Sequence, residues 1–362
     1  MSLHFHKLRI ADACFDTREA KVITLDVPDV LKDTYRFTQG QHLTLRVFID
    51  AEDLRRSYSI CSAPHEGVLQ VAIKRVADGR FSTFAHEHLK AGDEIDVMPP
   101  DGRFFTALNP MHEKHYVAFV AGSGITPVLS LIKTTLAVEP RSDFTLVYGN
   151  RNIDAVMFHE TLEDLKDTYL QRFALYHVFS REHQEIDLFN GRLDGAKCEI
   201  FLDTLLPPAR IDEAFICGPH SMIDEVSAAL IAAGVSPEKL HTERFGTPDA
   251  PGRASTLAAA AAAPDDTAPA SSVTIIVDGA RRQLRVPLQG TSILDTALRA
   301  GADLPYACKG GMCCTCRAKL VSGKVRMDKN YSLEEREMAQ GFILTCQSHP
   351  LTDELVVDYY AR

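Results

Sequence analysis

The chain has 362 residues, of which 45% are hydrophobic and 24% charged, and its formal net charge is −10. This length favours roughly two or three domains, and the composition is typical of globular proteins. The acidic balance argues against a nucleic-acid partner, and no segment is apolar enough for a membrane span or a signal peptide, so we expect a cytoplasmic location.

The first 108 residues contain short alternating strands separated by turn residues, for example at 40–47. This pattern predicts a small antiparallel β-barrel. The region also holds three segments with candidate binding residues: Arg56-Ser57-Tyr58-Ser59, a strand at 71–76, and Gly79-Arg80-Phe81-Ser82-Thr83 at the start of a helix.

Strand and helix patterns alternate over residues 109–246, which predicts a parallel sheet. A strand at 116–121 leads into the turn 122–127 and a helix at 128–137. Such a turn places backbone N–H groups at a helix N-terminus, where a pyrophosphate can bind, although Pro127 replaces the third glycine of the usual dinucleotide fingerprint. Further strands are expected at 144–151, 176–181 and 214–219, with their polar ends at the ligand-binding edge of the sheet.

A compositional break follows at residues 247–272, which are rich in Pro, Ala, Asp and Ser and include six consecutive alanines at 258–263. The segment has almost no large apolar residue and cannot build a core, which predicts a flexible linker.

Four cysteines near the end of the chain, Cys308, Cys313, Cys316 and Cys346, have the C-x4-C-x2-C spacing with a distant fourth cysteine that is typical of plant-type 2Fe-2S clusters. Structural zinc sites usually pair two short Cys-x-x-Cys knuckles, whereas here one knuckle lies in a glycine-rich loop. Zinc or a disulfide is the alternative. Cys314 falls outside the spacing, and we expect it not to be a ligand.

The tail from residue 273 to 362 resembles a plant-type ferredoxin, particularly at 303–307 before the cysteine loop and at 344–348 around the last cysteine. The resemblance implies a β-grasp domain. The residues agree, because 273–277 and 283–286 flank Gly279 as a hairpin and 292–298 forms a helix pattern that ends before Gly301.

The upstream motifs together resemble the ferredoxin-NADP reductase superfamily. This implies a multidomain α/β and β protein: an antiparallel FAD-binding β-barrel (1–108), a Rossmann-like parallel-sheet NAD(P)-binding domain (109–246), a flexible linker (247–272) and a 2Fe-2S β-grasp ferredoxin domain (273–362). The cofactors implied are FAD, a 2Fe-2S cluster and NADPH, with NADH possible.

The same resemblance implies site residues. Those at the reacting flavin and nicotinamide are Ser59, Cys217 and Phe245, although the segment that ends in Phe245 can also be a plain terminal strand. Those that bind FAD or the nucleotide are Arg56, Tyr58, Ser59, Ile73, Lys74, Val76, Gly79, Ser82, Thr83, Gly122, Gly124, Thr126, Pro127, Asn150, Arg151, Ser180, Arg181, Cys217, Gly218, Pro219, Met222, Glu243 and Phe245.

The three modules have a joint chemical logic, because nicotinamide delivers a hydride, a plant-type cluster accepts single electrons and a flavin supports both. The domain order and the segments 307–313, 330–334 and 346–350 resemble the reductase subunits of ring-1,2-phenylacetyl-CoA epoxidases. This implies electron supply to a di-iron oxygenase of phenylacetate degradation. Reductases of Rieske-type oxygenases or steroid hydroxylases, and a redox-sensing module without turnover, are the alternatives.

Overall fold

The computed structural model describes residues 4–246, 269–277 and 279–360. The predicted alanine run at 258–263 and most of the predicted linker lie outside the described residues. The chain forms two compact units, one containing Phe5–Leu54 and Tyr58–Phe245 and the other containing the described residues after Gly246. In the part of the chain that is described, no helix combines the length and apolarity needed to cross a bilayer.

The first sheet of the larger unit is an antiparallel barrel. Its strands are β1 (His6–Thr17), β2 (Ala20–Asp26), β3 (His42–Ile49), β4 (Glu52–Ser59), β5 (Leu69–Lys74) and β6 (Glu94–Val97). They are ordered β4-β3-β6-β1-β2-β5, and a bridge between Ile60 and Val71 joins the end of β4 to β5. Alternate residues such as Leu8 and Ile10 fill the interior.

One helix, α1 (Arg80–Glu87), packs on this barrel. The buried Lys21 donates to the carbonyl oxygens of Ala85 at 3.3 Å and Leu89 at 2.9 Å. A lysine at this position satisfies carbonyls that the helix leaves unpaired at its C-terminus and complements the helix dipole. Since Lys21 belongs to β2, the helix is thereby fixed to that strand.

The second sheet of the larger unit is parallel, as the sequence predicted. It consists of β7 (His115–Ala121), β8 (Asp143–Asn150), β9 (Phe173–Phe179), β10 (Glu213–Gly218) and β11 (Leu240–Arg244), with helices α2 (Ile125–Val138), α3 (His159–Thr168), α4 (Gly195–Thr204) and α5 (His220–Ala232). The order is β11-β10-β7-β8-β9. Successive residues of β7 enter different cores: Tyr116 and Ala118 face one, and Val117 and Phe119 the other.

Because both faces of this sheet are covered, its strands are continuous apolar runs rather than alternating ones. Helix α2 begins at Ile125, earlier than the predicted residue 128. Pro127 is tolerated there because the N–H groups of a first helical turn have no partner within the helix.

The smaller unit is a mixed sheet with packed helices. Its strands are β12 (Ala270–Val277), β13 (Ala280–Pro287), β14 (Arg317–Ser322), β15 (Val325–Met327), β16 (Phe342–Leu344), β17 (Ser348–Pro350) and β18 (Glu354–Asp358), with helices α6 (Ile293–Arg299) and α7 (Glu335–Ala339). The main sheet is ordered β13-β12-β18-β14-β16. Strand β12 begins at Ala270, inside the range predicted as linker, because Ala270 pairs with Pro287. The predicted fold class is confirmed.

Candidate functional site

The glycine turn after β7 is pressed against the end of β10. Gly122–Gly124 forms a 3-10 turn that runs into α2. A Cβ on Gly124 would lie 2.2 Å from the carbonyl oxygen of Cys217, so a larger residue would displace backbone. The Thr126 hydroxyl donates to the Ser123 carbonyl at 3.0 Å and fixes the start of the helix. The turn and the end of β10 therefore form one rigid edge.

Ser59 and Glu243 form a buried pair at the same edge. The Ser59 Oγ donates to Glu243 Oε2 at 3.0 Å, and Glu243 lies opposite Cys217 in the β10–β11 register. Burial raises the pKa of Glu243 to about 7, and the hydrogen bond from Ser59 opposes that change only in part. Burial also raises the pKa of Cys217, which keeps it a neutral thiol. Phe245, 38% exposed, follows directly after β11.

The segment before Phe245 is a terminal strand, which carries Phe245 to the carboxyl end of β10, and the role of Phe245 at the flavin stays a prediction. A carboxyl group that titrates near neutrality beside a hydroxyl can take up or release a proton. The sequence indicated Ser59 and Glu243 separately. Their hydrogen bond depends on long-range packing that no local pattern shows.

Glu19 is a site residue that the sequence prediction missed. Its carboxylate lies 2.6 Å from Arg151 Nη2 and 3.8 Å from Lys74 Nζ. The hydrogen bond from Arg151 lowers the pKa of Glu19, whereas burial lowers the pKa of Lys74. A Cβ on Gly122 would lie 3.8 Å from Lys74 Nζ. Lys74 therefore lies beside the glycine turn, and Glu19 links it to Arg151, the second predicted binding cation.

The turn between β5 and α1 is organised by Ser82. The Val76 N–H donates to Ser82 Oγ, which donates to the Gly79 carbonyl, each at 3.1 Å. Ser82 thus orders the turn that leads to Thr83 in α1. Asp78 has φ +58°, a left-handed conformation that aspartate tolerates better than most residues. The turn at Asp78 therefore has a backbone conformation that glycine adopts most readily.

The carboxyl ends of β8 and β9 hold four more predicted residues. Ser180 donates to the Asn150 carbonyl from its N–H at 3.0 Å and its Oγ at 3.3 Å, and the Arg181 N–H donates to the Arg151 carbonyl at 2.8 Å. The Arg181 side chain is exposed. These bonds extend the pairing of β8 and β9 beyond the sheet.

The remaining predicted residues are more dispersed. Ile73 is fully buried in the barrel core, so only its backbone can reach a cofactor. Arg56 is exposed, and the Tyr58 ring centroid lies 5.5 Å from that of Phe81. Gly218 is in close contact with Met222 of α5, and Pro219 is the N-cap of that helix.

Four cysteines converge in the smaller unit. Cys308, Cys313 and Cys316 lie in the loop between α6 and β14, and Cys346 follows β16. Cys308 interacts electrostatically with Cys313 and Cys346. Cys316 interacts with the same two cysteines, so the four side chains lie close together. The Cys308 Sγ accepts N–H groups from Gly310 at 3.3 Å and Met312 at 3.4 Å.

Left-handed backbone conformations recur in the cysteine loop. Gly311 has φ +77°, and a Cβ there would lie 2.9 Å from the Lys329 carbonyl. Cys314 has φ +54° and packs against the hydrophobic core of its unit.

The hydrogen bond from Cys313 lowers the pKa of Cys308 to about 7, which favours the thiolate form that binds metal.

Both sets of residues fit their implied groups. Four cysteines with backbone N–H groups directed at sulfur are the donor set of a 2Fe-2S cluster. In the larger unit, the glycine turn opens a helix and Lys74 lies beside it, which suits nucleotide phosphates. The buried Asn150 Nδ2 lacks a hydrogen-bond partner among the described residues, so a ligand at this edge can satisfy it.

Three family models match successive parts of the chain. The oxidoreductase FAD-binding domain matches residues 9–106, the oxidoreductase NAD-binding domain matches 119–228, and the 2Fe-2S iron-sulfur cluster binding domain matches 275–351. These matches confirm FAD, a nicotinamide nucleotide and a 2Fe-2S cluster as the cofactors.

Relatives that match this chain over almost their full length support the same domain assignment. The chain is 46% identical to a subunit of the 1,2-phenylacetyl-CoA epoxidase of Escherichia coli (strain K12), over 99% of this chain and 98% of that protein. It is 31% identical to the ferredoxin reductase component of the 3-ketosteroid-9-alpha-monooxygenase of Rhodococcus rhodochrous, over 97% and 96%. The solved structure of phthalate dioxygenase reductase is 22% identical, has a TM-score of 0.59 and matches 98% of each chain, which confirms the fold.

Proposed function

Because the chain belongs to the family of oxidoreductases that join FAD-binding, NAD-binding and 2Fe-2S domains, we propose that it delivers electrons from NADPH to the oxygenase that epoxidises the ring of phenylacetyl-CoA. It is an electron-transfer reductase that serves an oxygenase. The identity of that oxygenase is the proposed part.

The observation that carries the proposal is the 46% identity to the epoxidase component over almost the full length of both chains. Identity to the 3-ketosteroid monooxygenase component is 31% over a similar extent. A higher identity over all three domains therefore favours the epoxidase as the partner.

In the proposed reaction, the nucleotide binds across the carboxyl edge of the parallel sheet. The turn at Gly122 and Gly124 receives the pyrophosphate, and the end of β10 at Cys217 and Gly218 lies where the nicotinamide must approach the flavin. Bound FAD accepts a hydride and releases electrons singly. The protein contributes orientation, since the contact between Gly124 and Cys217 fixes the two halves of the nucleotide site together.

Proton handling is assigned to the Ser59–Glu243 pair. The flavin motif suggests that the Ser59 hydroxyl would face the reacting nitrogen of bound FAD, and its Oγ donates to Glu243 Oε2 at 3.0 Å. Since the pKa of Glu243 is raised to about 7, this carboxyl can take up or release a proton at neutral pH, with the Ser59 hydroxyl as the relay. Phe245 follows the same strand, and its proposed role would be to cover the ring before the nicotinamide enters.

We also propose NADPH as the preferred donor. Ser180 and Arg181 lie together after β9, with the Arg181 side chain exposed for a 2′-phosphate. The neighbouring Glu182 accepts a hydrogen bond from the Ile153 N–H at 2.8 Å. The Glu182 carboxylate thus already accepts a hydrogen bond from the protein, which does not favour a role in binding the ribose hydroxyls of NADH.

Cys308, Cys313, Cys316 and Cys346 are proposed as the cluster ligands, and Cys314 is proposed not to be a ligand because it falls outside the C-x4-C-x2-C spacing. The domain boundaries are proposed as 1–108, 109–246 and 270–362. The linker is proposed to be 247–269, because β12 begins at Ala270.

The function is tested by reconstitution of the purified chain with the oxygenase subunits of a phenylacetyl-CoA epoxidase. NADPH oxidation coupled to consumption of phenylacetyl-CoA is expected. The Cys346→Ser variant is the control, because it should still reduce ferricyanide through the flavin but should not support product formation. If phenylacetyl-CoA is unchanged while the wild-type chain drives a 3-ketosteroid monooxygenase, the proposed partner is wrong.

A further inference from the structure

A cluster of metal-ligating side chains lies outside the cofactor sites, between helix α3 and strand β9. His159 and Glu163 are one helical turn apart on α3, and His177 projects from β9. One ligand atom from each of the three lies within 4.8 Å of the other two. All three residues are partly buried.

His177 provides a second, independent observation. Both of its ring nitrogens are buried, and neither has a hydrogen-bond partner among the described residues. Leaving buried polar atoms unsatisfied is costly, and native proteins rarely do so without a compensating ligand.

The neighbours of His177 orient its ring without satisfying it. Its centroid lies 5.7 Å from that of Phe179 in a stacked arrangement and 5.9 Å from that of Tyr148. The His159 ring lies 6.0 Å away. An aromatic residue would pack equally well at this position, so packing alone does not account for a histidine there.

We propose that His159, Glu163 and His177 bind a divalent transition-metal ion of the zinc class. Two imidazoles and one carboxylate are a common zinc ligand set, which leaves a fourth position for water. With metal–ligand bonds of about 2.0–2.2 Å, tetrahedral ligand atoms stand roughly 3.4 Å apart. Because the ligand atoms lie within 4.8 Å of one another, metal binding would require them to approach by up to about 1.4 Å.

Such an ion would connect α3 to the edge of the sheet. Strand β9 is the last in the order β11-β10-β7-β8-β9, and its other edge is paired by a bridge between Phe179 and Asn190. It leads into Ser180 and Arg181, which belong to the proposed nucleotide site. A metal at His177 would tie this edge strand to helix α3, which packs on it, so the site is structural in character and distinct from the cysteine cluster.

The test uses the full-length holoprotein, dialysed against zinc, with zinc and iron counted in the same sample. We expect one zinc per chain without loss of cluster iron, and a higher melting temperature in zinc. His177→Phe keeps the ring packing and Glu163→Gln keeps the volume, yet each should weaken zinc binding by about tenfold or more.

The matched controls are Glu160→Gln, an exposed glutamate on the same helix, and His88→Gln, an exposed histidine. Both should bind zinc like the wild type. Zinc retained in full by Glu163→Gln and His177→Phe would overturn the site. Zinc taken up only as iron is lost would place the ion at the cysteines and overturn it as well.

Discussion

Replacing Glu243 with glutamine should stabilise the larger unit relative to the wild type, and by more at alkaline pH than at acidic pH. Burial raises the pKa of Glu243 from its ordinary 4.5 to about 7. A carboxyl whose pKa is raised on folding stabilises the protein fully below its unfolded pKa, and that stability is lost as the pH rises through the folded pKa. The window for Glu243 therefore runs from about pH 4.5 to about pH 7.

The size of the effect follows from the two pKa values. At about 1.36 kcal/mol per pH unit, the buried carboxyl costs about 1 kcal/mol at pH 5 and about 3 kcal/mol at pH 8. Wild-type protein should thus lose about 2 kcal/mol more than Glu243→Gln between these pH values. For a unit of this size the difference corresponds to about 4–8 °C in melting temperature.

Flavin fluorescence released on heating the holoprotein at pH 5 and pH 8 reports this quantity, with all samples scanned at one rate. Glu238→Gln is a suitable control because Glu238 is exposed. It should follow the wild type at both pH values. A melting difference between wild type and Glu243→Gln that is the same at pH 5 and pH 8 would show that Glu243 titrates normally, and the reasoning from burial would be wrong.

Three further predictions concern the cofactor sites. Gly124→Ala should raise the KM for NADPH or lower kcat, because its Cβ would meet the Cys217 carbonyl at 2.2 Å; unchanged steady-state kinetics would contradict that contact. Arg181→Ala should raise the KM for NADPH by roughly 10- to 100-fold, because charge-assisted hydrogen bonds to the 2′-phosphate would be lost. The KM for NADH should change far less, and equal effects on the two KM values would show that Arg181 does not bind the 2′-phosphate. Cys346→Ser should lose cluster iron and acid-labile sulfide and Cys314→Ser should keep both, whereas loss in both variants would place Cys314 among the ligands.

The fold was predictable because its signals are local. The apolar run of β7, the glycine turn at 122–124 and the cysteine loop each occupy a few consecutive residues, and their order along the chain identified the three domains. Element ends were less predictable. Strand β12 starts at Ala270 because it pairs there with Pro287 of β13. The composition of residues 270–272 resembles that of the preceding segment and does not indicate a strand.

Contacts between distant segments could not be predicted from the sequence. Glu19 stands in a turn between two barrel strands and belongs to no motif, yet it joins Lys74 to Arg151. The grouping of His159 and Glu163 with His177 escapes a search for paired histidines, because a carboxylate and a residue from another strand complete it. In each case the partner is supplied by tertiary packing.

The bond between Ser59 and Glu243 has a consequence for building chimeric reductases. Ser59 belongs to the barrel that binds flavin, whereas Glu243 lies in the last strand of the sheet that binds nucleotide. Exchanging the nucleotide-binding segment with that of a homologue, for instance to change coenzyme preference, would pair an acid from one parent with a hydroxyl from the other. Residues 5–245 are therefore best inherited from one parent, and the first natural crossover point comes after Phe245.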